Sequence, residues 1–187
     1  MSDTADVLAF WFGAADAPRE EWFRKDAAFD AQIAERFGPL VERALDGELA
    51  AWQAEPDSAL ALILLLDQFT RNIFRGSPRA FAGDPLALAA ARSLVASGGD
   101  RALPPLRRAF VYMPFEHAED LAAQDEAVRL FTPLAGLSPF LASMLDYAQR
   151  HRVIVARFGR FPHRNAALGR ASTPEELAFL QQPGSSF

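Results

Sequence analysis

The chain contains no cysteine. That removes disulfide bridges, thiolate metal ligands and cysteine nucleophiles together. Lysine occurs once, at Lys25, against eighteen arginines. Such a skew can follow coding bias, so the position and neighbours of an arginine say more than its identity. Long hydrophobic runs are missing: Leu60 to Leu66, with Ala59 before it, is the longest, far too short to span a bilayer. Met1-Ser2-Asp3-Thr4 lacks a basic stretch leading into an apolar one, so no signal peptide is expected. No two-residue alternation marks a strand. Gly-x-Ser-x-Gly, phosphate-loop, dinucleotide-glycine and His-Glu-x-x-His patterns are all missing. No short motif names a reaction, and neither a metal nor a cofactor is expected. A net charge of −5 argues against general nucleic-acid binding. These absences describe a soluble, cytoplasmic protein without a membrane partner, whose oligomeric state stays open.

What is present is apolar residues at helical spacing. Half of the residues (50%) are hydrophobic and sixteen are Phe, enough for a substantial core in one domain spanning residues 1–187. Val7, Phe10 and Trp11 open an amphipathic run, with Ser2 or Asp3 as its cap. Phe29, Ile33, Phe37, Leu40 and Val41 form a second run that Pro39 should bend or break. Residues 57–75 are apolar on every side and should be a central helix capped by Asp57 or Ser58. Asp84-Pro85, Ser138-Pro139 and Thr173-Pro174 each place a capping side chain before a proline. Thr173 with Glu176 also reads as a capping box. A further helix is expected after Pro114, and Gly159 should end the one before it in the 139–158 region. The fold class is all-α: antiparallel helix pairs stacked in a tetratricopeptide-repeat-like arrangement, about eight to ten helices.

Residues 147–174 carry Arg150, Arg152, Arg157, Arg160, Arg164 and Arg170, with His151 and His163, and no acidic residue. Removing these six positive charges from the net −5 leaves −11 on the rest of the chain. A basic segment in an acidic domain needs either internal acidic partners or an anionic ligand.

Several blocks taken together resemble a known family. They are Val7–Gly13 (Val-Leu-Ala-Phe-Trp-Phe-Gly), Leu66–Arg75 (Leu-Asp-Gln-Phe-Thr-Arg-Asn-Ile-Phe-Arg) and Tyr112–His117 (Tyr-Met-Pro-Phe-Glu-His). His151, Arg157–Asn165 (Arg-Phe-Gly-Arg-Phe-Pro-His-Arg-Asn) and Phe179-Leu180 complete the set. Over nearly its whole length the sequence is similar to the bacterial domain-of-unknown-function 924 family. The resemblance implies an all-α, tetratricopeptide-like fold and no established reaction.

The same blocks hold the candidate site residues. Asp67, Arg71 and Arg75 lie four residues apart on one helix face, with Asn72 beside them. Glu116 and His117 follow Pro114, where acidic groups would suit a helix start. His117 aligns with Leu121, Gln124, Val128 and Phe131. His151 falls on the apolar face made by Phe140, Met144, Ile154 and Val155. Arg157, Arg160, His163, Arg164 and Asn165 crowd one turn, where forked guanidinium groups could take phosphate or carboxylate, and Asn165 could cap a short helix through Leu168. The first reading is a binding domain for a small anionic ligand or carboxylate-bearing peptide, held by Asp67, Arg71, Asn72, Arg75, Arg157, Arg160, Arg164 and Asn165. The alternative is an enzyme in which Glu116, His117, His151 and His163 do hydrolase-like acid–base work. A third is a protein-interaction scaffold whose charge pairs are purely structural.

Overall fold

The computed structural model describes residues 3–186. Among the described residues there is no strand, and nine α-helical segments follow in order. They are α1 (Asp3–Phe12), α2 (Ala27–Leu45), α3 (Pro56–Ile63), α4 (Thr70–Ile73), α5 (Asp84–Ala96), α6 (Pro105–His117), α7 (Leu121–Ala135), α8 (Pro139–Phe158) and α9 (Pro174–Leu180). A π-helical segment, Leu64–Phe69, joins α3 to α4 without a break. The two segments are therefore one rod, and the described residues form eight α-helices. Among the described residues no helix is long and apolar enough to cross a membrane.

The α3–π–α4 rod is the central helix that its all-round apolar pattern requires: every residue from 59 to 70 is buried. Helices α1, α2, α5 and α6 pack around it, and α7 lies between α6 and α8. One apolar cluster runs through α1 to α8. Its aromatic centre is Trp11, in ring contact with Trp22, Phe29, Phe69 and Phe110. A smaller cluster of Ile154, Val155 and Phe161, with Phe158 and Phe179 against it, seats the C-terminal segment. Truncating a wholly buried ring such as Phe69 or Phe131 to Ala would cost about 3–5 kcal/mol through lost burial and cavity formation.

Two capping expectations hold in detail. Ser138 accepts from the Leu141 amide, and Thr173 with Glu176 forms the reciprocal capping box. Gly159 ends α8 in the left-handed conformation at φ 69°, which a side chain would disfavour.

Other local expectations are corrected. Pro39 does not break α2, which runs through it to Leu45. The central rod starts at Pro56, with Glu55 before it and no side-chain cap. The Ser58 hydroxyl instead donates to the carbonyls of Trp52 and Glu55. Pro114 lies inside α6 rather than before a new helix. The next helix begins at Leu121, capped by Asp120, so Glu116 and His117 occupy a last turn and not a first. Asp84 does not cap α5: Gly83 takes that position, and the Asp84 carboxylate is drawn to two arginines. Asn165 caps no helix, and residues 165–169 are turns. Ser2 lies outside the described residues.

Candidate active site

The site is built where the middle of the central rod meets the end of α6. A π turn is wider than an α turn and is found disproportionately at functional positions. Here it carries Asp67, fully buried, on its inner side. Side chains satisfy two of its carbonyls: the Thr70 hydroxyl donates to Leu66 O at 2.8 Å, and the Arg71 guanidinium to Asp67 O at 2.6 Å. Gly83 is pressed against the same turn. A Cβ there would stand 2.1 Å from the Leu66 carbonyl oxygen, so only glycine lets the start of α5 approach this closely. That approach brings Asp84 to Arg71.

Helix α6 ends at His117, whose Nδ1 lies 2.6 Å from Asp67 Oδ1. Gln68 Nε2 donates to Asp67 Oδ2, and Arg71 sits 3.2 Å from Oδ1. Burial, the largest influence on Asp67, pushes its pKa up. Arg71 and His117 together outweigh burial and hold the group below the usual carboxylate range. For His117 burial is again the largest influence, and with Arg71 it lowers the imidazole pKa against the opposing pull of Asp67. The pair is therefore an aspartate and a neutral histidine, with Nδ1–H donating to the carboxylate. This leaves Nε2 as the acceptor nitrogen.

A second pair stands beside the first. His151, projecting from α8, has Nδ1 2.9 Å from Glu116 Oε1 and 2.9 Å from the Tyr147 carbonyl. Glu116 and His151 are both buried. The two imidazole centroids are 6.0 Å apart. One donor atom from each of Glu116, His117 and His151 lies within 4.8 Å of the others. The His117 side chain keeps 11% of its surface exposed, so the cluster reaches solvent.

All-helical architecture, the π turn and these paired groups occur in a chain whose residues 7–184 match the family described as bacterial protein of unknown function, DUF924. The chain belongs to that family. A solved structure of a protein of unknown function from Agrobacterium tumefaciens is similar to it, at 47% identity and a TM-score of 0.86, over 95% of this chain and 96% of that one. No curated protein matches.

Around the dyads of this DUF924 chain lies a cationic edge that is internally balanced. Arg71 and Arg164 share Asp84, at 2.8 and 3.0 Å. Arg164 is sandwiched between the Phe81 and Phe161 rings. Burial, with Arg71 nearby, lowers its pKa to about 10 despite Asp84. Its Nε is buried without a hydrogen-bond partner. Phe161 also contacts the His151 ring edge-on. Glu119 accepts from the Phe161 amide and from both terminal nitrogens of Arg170. His163 stands next to Phe161. Burial first, then Arg164 and His151, lower its pKa to about 4.

The structure thus gathers Asp67, Arg71, Glu116, His117, His151 and Arg164, with His163 at the margin. Other candidates lie apart. Asn72 and Arg75 both bind Asp30 on α2. Arg157 pairs with Glu175, and Arg160 with Glu176. Asn165 donates to Ser172 and Glu176 and accepts from Arg170. Each of the six arginines of the basic segment has an acidic partner, Arg150 with Asp146 and Arg152 with Asp125 included. Sequence reasoning missed Asp84, because Asp before Pro reads as a cap, and it missed the bracing role of Glu119. The one available signal was the surplus of acidic charge outside the basic segment. Two surface depressions lie elsewhere, one between α1 and α2 and one between α5 and α7.

Proposed function

We propose that this protein is an enzyme doing hydrolase-like acid–base chemistry on a small substrate that carries an anionic group. The supporting observation is the pair of buried imidazole–carboxylate dyads, Asp67–His117 and Glu116–His151, side by side. A carboxylate on Nδ1 fixes the tautomer and ring direction, leaving Nε2 to take or give a proton. His117 is the base in this reading, and Asp67 positions it and stabilises the imidazolium formed on proton transfer. His151 serves the departing group. The buried Arg164 Nε faces no internal acceptor and is the donor offered to the substrate's anion.

A scaffold has no use for two such dyads, although the full pairing of the basic segment would suit one. The test is turnover of carboxylate- and phosphate-bearing esters and amides by the purified protein. General acid–base groups contribute about 100- to 10,000-fold, so His117→Gln should lower kcat/KM by that order while the helical circular-dichroism spectrum stays unchanged. Turnover that survives His117→Gln would remove the histidine from the chemistry.

A second reading, binding without turnover of a small anion or carboxylate-bearing peptide, also draws support from the orphaned Arg164 Nε. It is tested by thermal shift with inorganic phosphate and small carboxylates. A saturable stabilisation abolished by Arg164→Ala, with no turnover of any substrate class, would favour it over catalysis.

A further inference from the structure

Arg164 is the unusual cation of the cluster. Only 6% of the residue is exposed, so its guanidinium has little water to bind. Nη1 donates to Asp84 at 3.0 Å. Nε is buried with no hydrogen-bond partner, and among the described residues nothing accepts from Nη2. Arg71, by contrast, donates to the Asp67 carbonyl and to Asp84. A buried donor without an acceptor is costly. One edge of the Arg164 fork is therefore unused by the fold, and it is the edge made by Nε and Nη2.

The surroundings of that edge select what can use it. The Phe81 and Phe161 ring centroids lie 4.7 and 4.6 Å from Arg164 Cζ. With aromatic rings against its faces, the guanidinium offers its donors in its own plane. A carboxylate is planar and meets such a fork edge-on through two parallel hydrogen bonds. A phosphate brings the same two oxygens but carries others above and below that plane, against ring faces that are themselves negative. Charge points the same way. Asp67, Asp84 and Glu116 set three carboxylates against the two arginines Arg71 and Arg164, while Glu119 is taken by Arg170. This group holds no surplus positive charge to balance a dianion.

We propose that the substrate's anionic group is a single planar carboxylate, held edge-on by Nε and Nη2 of Arg164, with Phe81 and Phe161 as the residues that exclude phosphate. The inference rests on the acid–base reading of the neighbouring dyads and names the class of substrate they act on. Phe161 also sets the scale. Its ring centroid is 5.4 Å from that of His151, so a carboxylate on Arg164 sits one phenyl ring away from the Glu116–His151 dyad. An extended chain covers about 3.3–3.6 Å per residue, so a substrate about two or three residues long spans from the fork to the dyad. The class is a short acyl amino acid, or an ester or amide of that size, with a free carboxylate.

The test is a ligand-observed NMR titration of the full-length protein with N-acetylglycine, its primary amide and its phosphonate analogue, with released acetate reporting any hydrolysis in the same tube. N-acetylglycine should saturate. The amide lacks the charge, and the phosphonate has a second charge and a tetrahedral head, so each should bind about 10- to 100-fold more weakly. Arg164→Lys keeps the charge but loses the fork, and should weaken N-acetylglycine by a similar factor. Phe81→Leu removes one ring face, leaves Arg164 in place and should narrow the gap between carboxylate and phosphonate. Phosphonate binding as tight as carboxylate, no saturable binding of N-acetylglycine by the folded protein, or a gap unchanged in Phe81→Leu overturns the assignment. The two proposals separate cleanly. Turnover of phosphate-bearing esters in preference to carboxylate-bearing ones refutes the carboxylate and leaves the hydrolase standing, whereas carboxylate-selective binding without turnover of any substrate class upholds the carboxylate and refutes the hydrolase.

Discussion

A Cβ built on Gly83 would stand 2.1 Å from the carbonyl oxygen of Leu66. The atom it would meet is backbone inside the buried π turn, so no side-chain rotation relieves the clash. The start of α5 is held against the central rod by the lack of a side chain, and Asp84 reaches Arg71 and Arg164 from there. Overpacking of this kind costs about 1–3 kcal/mol or more. Gly83→Ala should lower the free energy of unfolding by at least that amount in urea, with the slope against denaturant unchanged. A variant as stable as wild type would mean that α5 is free to back away.

Asp67 and His117 meet across 50 residues of chain. Removing the carboxylate charge leaves Arg71 with Asp84 alone and His117 without its orienting partner. Breaking a buried pair from one side costs about 3–5 kcal/mol, and the second partner of Arg71 places Asp67→Asn at the low end. Urea unfolding at pH 7 measures the loss. A change below about 0.5 kcal/mol, the range of ordinary surface substitutions, would show that the pair adds nothing to stability.

How far the sequence foretold this arrangement depends on which contacts are local. Helical spacing, the Ser138 and Thr173 caps and the Gly159 terminator each involve residues within a few positions, and the folded chain keeps all three. The site is different in kind. Glu116 and His117 were readable as functional types, but their meeting with His151 and Asp67 depends on α6 lying against both the central rod and α8. Two local rules pointed the wrong way. Asp84-Pro85 satisfies a capping pattern, yet the close approach of Gly83 moves the cap and frees Asp84 for long-range pairing. Pro114 satisfies a helix-start pattern, yet α6 runs through it. No periodicity announces the π turn, because residues 59–70 are buried on every side and a one-residue insertion leaves no change of polarity.

The C-terminal segment offers a contrast between two arginine–glutamate pairs whose arginines are three residues apart and whose glutamates are adjacent. Arg157 and Glu175 are both well exposed. Arg160 grips the buried Glu176 through Nε and Nη2 and also reaches the Ala171 carbonyl. The Arg160 hydrogen bond and the Thr173 amide hold the Glu176 carboxyl well below its ordinary pKa. Exposed pairs are worth about 0–1 kcal/mol, so Arg157→Ala should change thermal stability little. Arg160→Ala should lower the melting temperature clearly further and speed protease cleavage near α9. Equal effects from the two variants would remove the distinction.

His163 gives the fold a defined acid sensitivity. Burial, Arg164 and His151 depress its folded pKa to about 4 from the ordinary 6.5, with Glu119 opposing and His117 adding to the shift. Below the unfolded value the unfolded chain binds the proton more readily, so protonation favours unfolding. This contribution to stability is fully present above about pH 6.5. It declines as pH falls toward about 4 and changes no further below that. The shift integrates to a loss of roughly 1–2 kcal/mol between pH 7 and pH 5, allowing for the partial exposure of the ring. His117, also lowered, acts in the same direction, so His163→Asn should reduce the pH 7 to pH 5 stability difference without abolishing it. Urea titrations of both proteins at the two pH values decide the matter. An undiminished difference in the variant would mean that His163 takes up its proton in the folded state as readily as in the unfolded chain.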